Sequence, residues 1–253
     1  MHFLSQVVTF FTTASNWSGP DGILIRFAHQ AELSAAVVVA AGVCGVGLGA
    51  FLGHTGRAGF LAVNAANAAR AVPSLALLTL LAIQPSIGLR GNGFLASFLA
   101  LFALAVPPIL TNTYIGVRDV DPDVRSAAKG IGMTGGQILW RVEAPLSVPL
   151  VMAGVRTAAI EVVATATLAA YVSFSDLGTY VVAGLNTQDN VEAFSGAVLV
   201  AILAFGTDLV LAVTQRAVTP SGLRTSARAL RSRGVAADAS TVRLTRRAGA
   251  VLG

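Results

Sequence analysis

The pattern of apolar positions divides this 253-residue chain into long apolar segments separated by polar connections. A helix needs about 20 apolar residues to cross a bilayer core of about 30 Å, and five segments reach that length. They are Ala31 to Gly53, Gly59 to Ile83, Gly93 to Thr111, Leu146 to Phe174 and Ala193 to Val213. The pattern therefore predicts an all-α, polytopic membrane protein with five transmembrane helices.

The first residues form a separate, amphipathic pattern. Apolar side chains recur at helical spacing at Phe3, Leu4, Val7, Phe10 and Phe11, which predicts a helix lying at the membrane interface. A frayed apolar terminus is the alternative. A cleavable signal peptide begins with a basic region, but residues 1–25 contain no Lys or Arg, so we expect the segment to be retained.

Three regions follow from these patterns. Residues 1–30 are an N-terminal interfacial segment, and residues 31–215 are the transmembrane domain, which contains a polar loop at 112–145. Residues 216–253 form a basic tail rich in Ser, Gly, Ala and Arg without a clear apolar face. We expect this tail to be flexible and cytoplasmic.

Composition and charge agree with a membrane protein. Apolar residues make up 55% of the chain and charged residues 11%, against about 25% charged residues in ordinary soluble domains. The single cysteine, Cys44, excludes an internal disulfide. The net charge of +5 arises in the tail, where eight arginines and one aspartate follow Thr214. A basic segment beside a bilayer is attracted to anionic lipids, and we expect no nucleic-acid partner.

Basic residues in the connections predict the orientation, because they favour the cytoplasmic side. With the N-terminus outside, only Arg26 and Arg90 fall on outer connections. The basic residues on inner connections are Arg57, Arg118, Arg125, Lys129, Arg141 and the arginines at 216, 224, 228, 231, 233, 243, 246 and 247. We therefore predict a multi-pass protein of the plasma or inner membrane, with the N-terminus outside and the C-terminus in the cytoplasm.

The inner loop at 112–145 contains two helix-start signals. Asp121, Pro122 and Asp123 supply an N-cap, a first-turn proline and a first-turn acid, which predicts a helix to about Gly130. The Thr134-x-x-Gln137 spacing is that of a capping box and predicts a second short helix that stops before Pro145. The apolar residues on these helices are Ala127, Ala128, Met133, Ile138 and Trp140. They could dock into a groove of another protein or pack on the membrane interface.

The same loop resembles the cytoplasmic motif of ATP-binding-cassette importer permeases, E-A-A-x3-G-x9-I-x-L-P. The matching residues are Ser126-Ala127-Ala128, Gly132 and Val142-Glu143-Ala144-Pro145. Ser126, Val142 and Ala144 depart from the motif's Glu, Ile and Leu, and the missing acid bears on the strength of coupling. Further blocks are similar to the osmoprotectant branch, which carries glycine betaine, carnitine, choline or proline. They include 72–77, 112–116, 130–134, 137–143, 152–157, 177–178 and 184–185.

The resemblance implies a transport subunit with partners. It implies a cytoplasmic ATPase dimer that binds ATP and Mg, a second permease chain of the same or a related kind, and an extracytoplasmic solute-binding protein. It also implies that the inner loop couples this chain to the ATPase, whereas the chain itself is no enzyme and binds no cofactor or metal. The implied coupling residues are Asp121, Ser126, Ala127, Ala128, Gly130, Gly132, Met133, Gln137, Val142 and Pro145.

Charges within the apolar segments are candidates for the translocation path, because a charge at mid-bilayer is costly and faces a bundle interior or a wet cavity. These residues are Arg70, Arg156 and Glu161. At about 1.5 Å per residue, Arg70 and Glu161 lie at similar depths, so we predict that they pair; a fixed ion pair without a transport role is the alternative. Asp208 lies near the inner end of the last span, where we expect it to snorkel or cap a helix.

Small and cyclic residues add two expectations about helix packing and bending. Gly45, Gly49 and Gly53 are spaced four apart and form a narrow stripe along which another helix can approach. Prolines remove backbone donors and bend helices, which makes Pro73, Pro107 and Pro108 hinge candidates.

Other classes of protein have less support in the residues. The glycine-rich stretches lack the pattern of a nucleotide-binding loop, and no acid–base pair or metal-ligand cluster is apparent. A permease for another small solute stays open, as does a self-sufficient secondary carrier or channel, although no internal repeat favours a carrier. A membrane scaffold without transport activity is the third alternative.

Overall fold

The computed structural model describes residues 2–56, 59–84, 93–172 and 174–219. Every regular element in these ranges is a helix. Four helices there are long and apolar enough to cross a membrane, and a bent pair of shorter helices adds a fifth possible span. The all-α, polytopic prediction is confirmed. Arg57, Arg90 and the tail from residue 220 onward, on which part of the predicted orientation depends, lie outside the described residues.

The helices are named in chain order. They are α1 (His2–Thr12), α2 (Ile23–Thr55), α3 (Gly59–Ala69), α4 (Ser74–Ala82), α5 (Phe94–Arg118), α6 (Pro122–Gly130), α7 (Gly135–Ile138), α8 (Ala144–Ala166), α9 (Gly178–Thr187) and α10 (Asn190–Val218). A π-helical turn, Leu139–Glu143, joins α7 to α8, and 3₁₀ turns occur at Ala14–Asn16 and Thr167–Val172.

Several spanning helices are longer than the apolar segments predict. α2 begins at Ile23 instead of Ala31, and α10 runs from Asn190 to Val218 instead of 193–213. Polar residues at these ends do not stop the helices, because they are satisfied locally. In α2, Arg26 binds Asp21 at 3.2 Å, and in α10 the Asp189 carboxylate accepts from two backbone amides of the first turn.

Glycines set the close packing of α2 against α5. A Cβ added to Gly45 would lie 2.9 Å from Ile109 Cγ2, one on Gly49 would lie 2.7 Å from Thr113 Cβ, and one on Gly53 2.8 Å from Val117 Cβ. Real side chains do not tolerate such distances, so only glycine permits this approach. The predicted stripe at positions 45, 49 and 53 is therefore confirmed.

The centre of the fold is a bundle of α2, α5 and α8. Its apolar core includes the fully buried side chains of Leu33, Leu101, Ile109 and Val162. The helix pair α3 and α4 packs beside α5, and α10 packs against α8 and α9. This arrangement brings the C-terminal ends of α2 and α5 and the N-terminal end of α8 together next to the loop that contains α6 and α7.

Prolines affect two spans differently. Pro73 caps α4, and α3 and α4 meet there at a bend of 79°, so the kink predicted at this proline is confirmed. Pro107 and Pro108 are buried inside α5, which continues as one helix to Arg118. Their proposed role as hinges stays a prediction.

The N-terminal helix is present, but part of its apolar face contacts the rest of the chain. Phe3 and Phe194 of α10 have ring centroids 5.4 Å apart, and Phe10 lies 5.9 Å from Tyr180 of α9. Val7 is buried, whereas Leu4 and Val8 are exposed. The helix predicted by the spacing therefore has one side packed on α9 and α10 and another side exposed.

Candidate coupling surface and intramembrane charges

The inner loop begins with the helix that the sequence predicts. Asp121 accepts a hydrogen bond from the Asp123 amide at 2.8 Å, and Pro122 occupies the first turn of α6. The helix ends at Gly130, and two residues later Gly132 has a φ of +88°. An L side chain is strained in that left-handed conformation, which gives a physical reason for glycine at this position of the motif.

The second predicted helix starts as expected but does not end before Pro145. Thr134 and Gln137 form the reciprocal capping box, with the Thr134 amide donating to the Gln137 side chain at 2.8 Å. α7 then passes through the π-helical turn directly into α8. Pro145 lies in the first turn of α8, where its missing N–H and its fixed φ are tolerated. The prediction that this helix stops before Pro145 was therefore wrong.

The apolar residues of the loop divide into exposed and internal groups. Val124 and Ala127 of α6 are exposed, and so is Ile131, the C-cap residue that follows the helix, which is 81% exposed. Ala128 and Ile138 are buried within the chain. The apolar residues of the loop therefore have two roles: some are exposed, and others anchor the loop to its own chain.

Trp140 belongs to a different surface. Together with Leu139 it lines an apolar groove of about 590 Å³ formed by α2, α5 and α8. The indole is 75% exposed on this groove along the spanning helices. Trp140 therefore does not belong with the exposed face of α6.

The coupling residues implied by the motif range from exposed to buried. Six of them are exposed: Asp121, Ser126, Ala127, Gly130, Gly132 and Gln137. Met133, Val142 and Pro145 are half-buried, and Ala128 is buried. We call the exposed face of α6 around Val124, Ala127 and Ile131 the docking surface.

Behind the docking surface lies a buried ionic cluster that sequence reasoning missed. The Glu143 side chain is 2% exposed, and its Oε2 lies 2.7 Å from Nδ1 of His54 in the last turn of α2. Its Oε1 lies 2.8 Å from Nε of Arg125 in α6, as an ion pair without an aligned hydrogen bond. His54, Arg125 and Glu143 also line a cavity of about 360 Å³, together with Lys129 and apolar residues such as Ile138.

Two further ion pairs lie within the spanning helices. Arg70, just after α3, donates to both carboxylate oxygens of Glu161 in α8 at 3.0 Å, which confirms the predicted pairing. Arg156 in α8 binds Asp208 in α10 through Nε and through Nη2, the latter at 2.7 Å. Asp208 therefore neither snorkels nor caps a helix, and that expectation was wrong.

A buried acid lies in the turn before α9. Asp176 is fully buried, and neither carboxyl oxygen has an aligned hydrogen-bond partner among the described residues. Burial raises the pKa of Asp176 to about 7, although the backbone amides of Gly178 and Thr179 and the charge of Arg26 lower it. The turn is held by α2, where Gln30 accepts from the Leu177 amide at 3.2 Å.

The described residues contain no group of three His, Cys, Asp or Glu side chains able to hold a metal ion. The signal for Glu143 was available in the sequence, since an acid directly precedes the apolar start of α8, but its partners lie 89 and 18 positions earlier in the chain. Only the fold brings these residues together.

Comparisons with known proteins agree with the geometry. The family of binding-protein-dependent transport system inner membrane components matches residues 45–221. The glycine betaine/carnitine/choline transport system permease protein OpuCB of Bacillus subtilis is 37% identical over 221 residues, which cover 87% of this chain and 97% of that protein. The choline transport system permease protein OpuBB of Bacillus subtilis is 44% identical over 138 residues, 54% of this chain and 64% of that protein.

The fold has a solved counterpart. A structure of the MetNI methionine ABC transporter in inward-facing conformations aligns with a TM-score of 0.68 at 19% identity, covering 78% of this chain and 97% of that chain. At this identity the likeness concerns the fold alone. By its family match and by its identity to OpuCB, this chain belongs to the family of binding-protein-dependent transport system inner membrane components.

Proposed function

We propose that this chain is the permease subunit of an ATP-driven importer for osmoprotectants such as glycine betaine, choline, carnitine or proline. The observation that carries the proposal is the docking surface, an exposed apolar helix face on a loop with the spacing of the importer motif. The substrate class is supported by the relatives, which are named for glycine betaine, carnitine and choline transport.

In this proposal α6 and α7 couple the chain to an ATPase dimer. Val124, Ala127 and Ile131 present apolar surface that fits a hydrophobic groove of a partner. ATP and Mg bind to the ATPase, and its movement reaches this chain through α6. Ser126 stands where the motif has an acid, so the contact depends more on apolar packing than on charge.

A second permease chain completes the translocation path. The side chains of Arg70 and Glu161 are 38% and 27% exposed, and those of Arg156 and Asp208 are 38% and 26% exposed. Partly exposed charges within spanning helices need a wet cavity or a neighbouring chain. We place both pairs along the path or at the permease interface. The bend at Pro73, and Pro107 and Pro108 in α5, are the positions at which we propose that the helices move.

An extracytoplasmic binding protein delivers the solute, and the N-terminus lies on that outer side. The positive-inside distribution supports this orientation. Discrimination between solutes is assigned to the binding protein, because quaternary ammonium groups are held by aromatic cages. The two tryptophans of this chain are far apart in sequence and do not form such a cage together: Trp17 follows the 3₁₀ turn near α1, and Trp140 lines the groove beside α8.

The test is to purify the chain from its native membrane and identify the proteins that remain bound. We expect an ATPase, retained by the wild type and released by Ala127→Glu and Ile131→Glu on the docking surface. As a control, Asp119→Asn changes an exposed residue of the same loop outside the docking surface and should retain the ATPase. Uptake of choline and glycine betaine by proteoliposomes should require ATP.

The same experiment separates the competing functions. A secondary carrier or channel would transport solute without an ATPase, and a scaffold would transport none. An ATP-dependent importer that ignores choline, glycine betaine, carnitine and proline would retain the mechanism and overturn the substrate class.

A further inference from the structure

The buried Glu143 cluster has no part in the function proposed so far. Its carboxylate contacts His54 at 2.7 Å and Arg125 at 2.8 Å. His54 belongs to α2, Arg125 to α6, and Glu143 to the π-helical turn that leads into α8. One buried acid therefore links the docking helix with two spanning helices.

Arg125 extends the cluster to the inner end of α5. Its Nη2 donates to the carbonyl of Val117 and, at 3.2 Å, to that of Arg118. The last carbonyls of a helix lack partners within the helix, so this guanidinium caps α5 while it neutralises Glu143. A displacement of α6 therefore acts on the inner ends of α2, α5 and α8 together.

Burial makes this linkage different from surface ion pairs. An exposed pair contributes little, because water replaces either partner readily. A buried carboxylate that loses its cation is strongly destabilised, so Glu143 holds Arg125 and His54 in place. Glu143 also lies in a π-helical turn, and such turns are frequent at functional positions.

We propose that Glu143 is a positioning residue for energy coupling, which makes the docking helix α6 and the inner ends of α2, α5 and α8 move as one body. The inference rests on the proposed function, since an ATPase must supply the movement. In this role Glu143 contacts neither solute nor nucleotide. Its removal should separate ATP hydrolysis from transport while the complex remains assembled.

The experiment measures solute transported per ATP hydrolysed in proteoliposomes that contain the complete importer and its binding protein. The solute is whichever of choline, glycine betaine and carnitine raises the melting temperature of the binding protein. Glu143→Gln keeps the side-chain shape and removes the charge. We expect this ratio to fall by about three- to tenfold, with ATPase copurification retained, whereas Glu143→Asp should recover part of the ratio.

Two controls make the result specific. Asp119→Asn removes an exposed carboxylate from the same inner loop and should leave the ratio at the wild-type value. Arg125→Gln combined with Glu143→Gln removes both buried charges, so assembly should suffer less than in Arg125→Gln alone, while the ratio stays low. A structural role alone would lower the amount of complex without changing the ratio.

A second variant decides the case in which Glu143→Gln does not assemble. His54→Ala removes one contact at a site where the side chain is 26% exposed and should lower the ratio by about twofold. A wild-type ratio in an assembled Glu143→Gln complex, or in His54→Ala if the former is absent, overturns the inference. Wild-type uptake that needs no ATPase would instead overturn the proposed function.

Discussion

The Glu143 cluster and the Arg70–Glu161 pair are both ionic contacts between distant parts of the chain, but their exposure differs greatly. Glu143 is 2% exposed and touches residues from two other elements. Glu161 is 27% exposed and has one cationic partner, Arg70, itself 38% exposed. The cluster is completed within one chain, whereas the pair is only partly covered by it.

The difference in exposure indicates which part of the assembly each ionic contact stabilises. A charge that is fully desolvated by its own chain fixes the geometry of that chain, because every partner is needed to offset its burial. A half-exposed pair within spanning helices still requires water or a second chain on its open side. Mutations should therefore alter the geometry of the chain's own loop, and any coupling that depends on it, in the first case, and assembly or uptake in the second.

The largest effect is expected for Glu143→Ala. This change removes both contacts and leaves Arg125, which is 24% exposed, without its acid; the cost is at most the roughly 3–5 kcal/mol of a broken buried ion pair. We expect a large loss of thermal stability, measured on the purified complex in detergent. Asp119→Ala, on the exposed part of the same loop, should change stability by less than about 0.5 kcal/mol. Equal losses in both variants would remove the distinction between the cluster and the surface.

The next effect concerns the coupling between Arg70 and Glu161. Single changes Arg70→Gln and Glu161→Gln should each impair assembly or uptake, because each leaves one charge unpaired in a spanning region. The double variant should be better than the sum of the singles, with a coupling energy of about 1–2 kcal/mol from a double-mutant cycle. Additive effects would mean that the contact has no energetic role.

Depth along the helices predicted one intramembrane pair and missed the other. Arg70 and Glu161 lie at similar heights when about 1.5 Å is counted per residue, and they do pair. Asp208 is about 8 Å from the predicted end of its span at Val213 but about 15 Å from the observed end at Val218. Arg156 is also about 15 Å from the predicted start of its own span at Leu146, so the observed end of α10 places Asp208 at a similar depth. The error in the helix boundary therefore hid the pair.

Local signals predicted the inner loop better than its junction with α8. The Asp121 cap and the Thr134–Gln137 capping box depend on neighbours within three residues, so the sequence contains all that determines them. The burial of Glu143 instead depends on partners from α2 and α6. Contacts between residues far apart in the chain leave no such local pattern, and motif spacing alone did not distinguish Ala127, which is exposed, from Ala128, which is buried.

Asp176 is a third acid, and it is buried without a direct ion pair among the described residues. Asp176 has a pKa of about 7 in the folded chain, against 3.8 ordinarily. Between these values the folded state binds more protons, so its contribution to stability is greatest at low pH and is lost as pH rises to about 7. Asp176→Asn should raise the melting temperature by about 2–4 °C at pH 8, with a smaller rise at pH 5. An equal rise at both values would contradict the role of ionisation.

The smallest effect uses two adjacent glycines at the start of α7. A Cβ on Gly135 would lie 3.2 Å from His54 Nε2, a tight contact beside the Glu143 cluster, whereas one on Gly136 meets nothing within 4 Å. Alanine improves helix propensity equally at both positions, by up to about 1 kcal/mol.

We therefore expect Gly136→Ala to be neutral or slightly stabilising and Gly135→Ala to be less stable than it by about 0.5–1 kcal/mol, as measured by thermal unfolding. The difference should disappear in a His54→Ala background, where the tight contact is absent. If it persists there, Gly135 acts through the backbone of α7, and the packing of His54 against α7 adds nothing to the cluster.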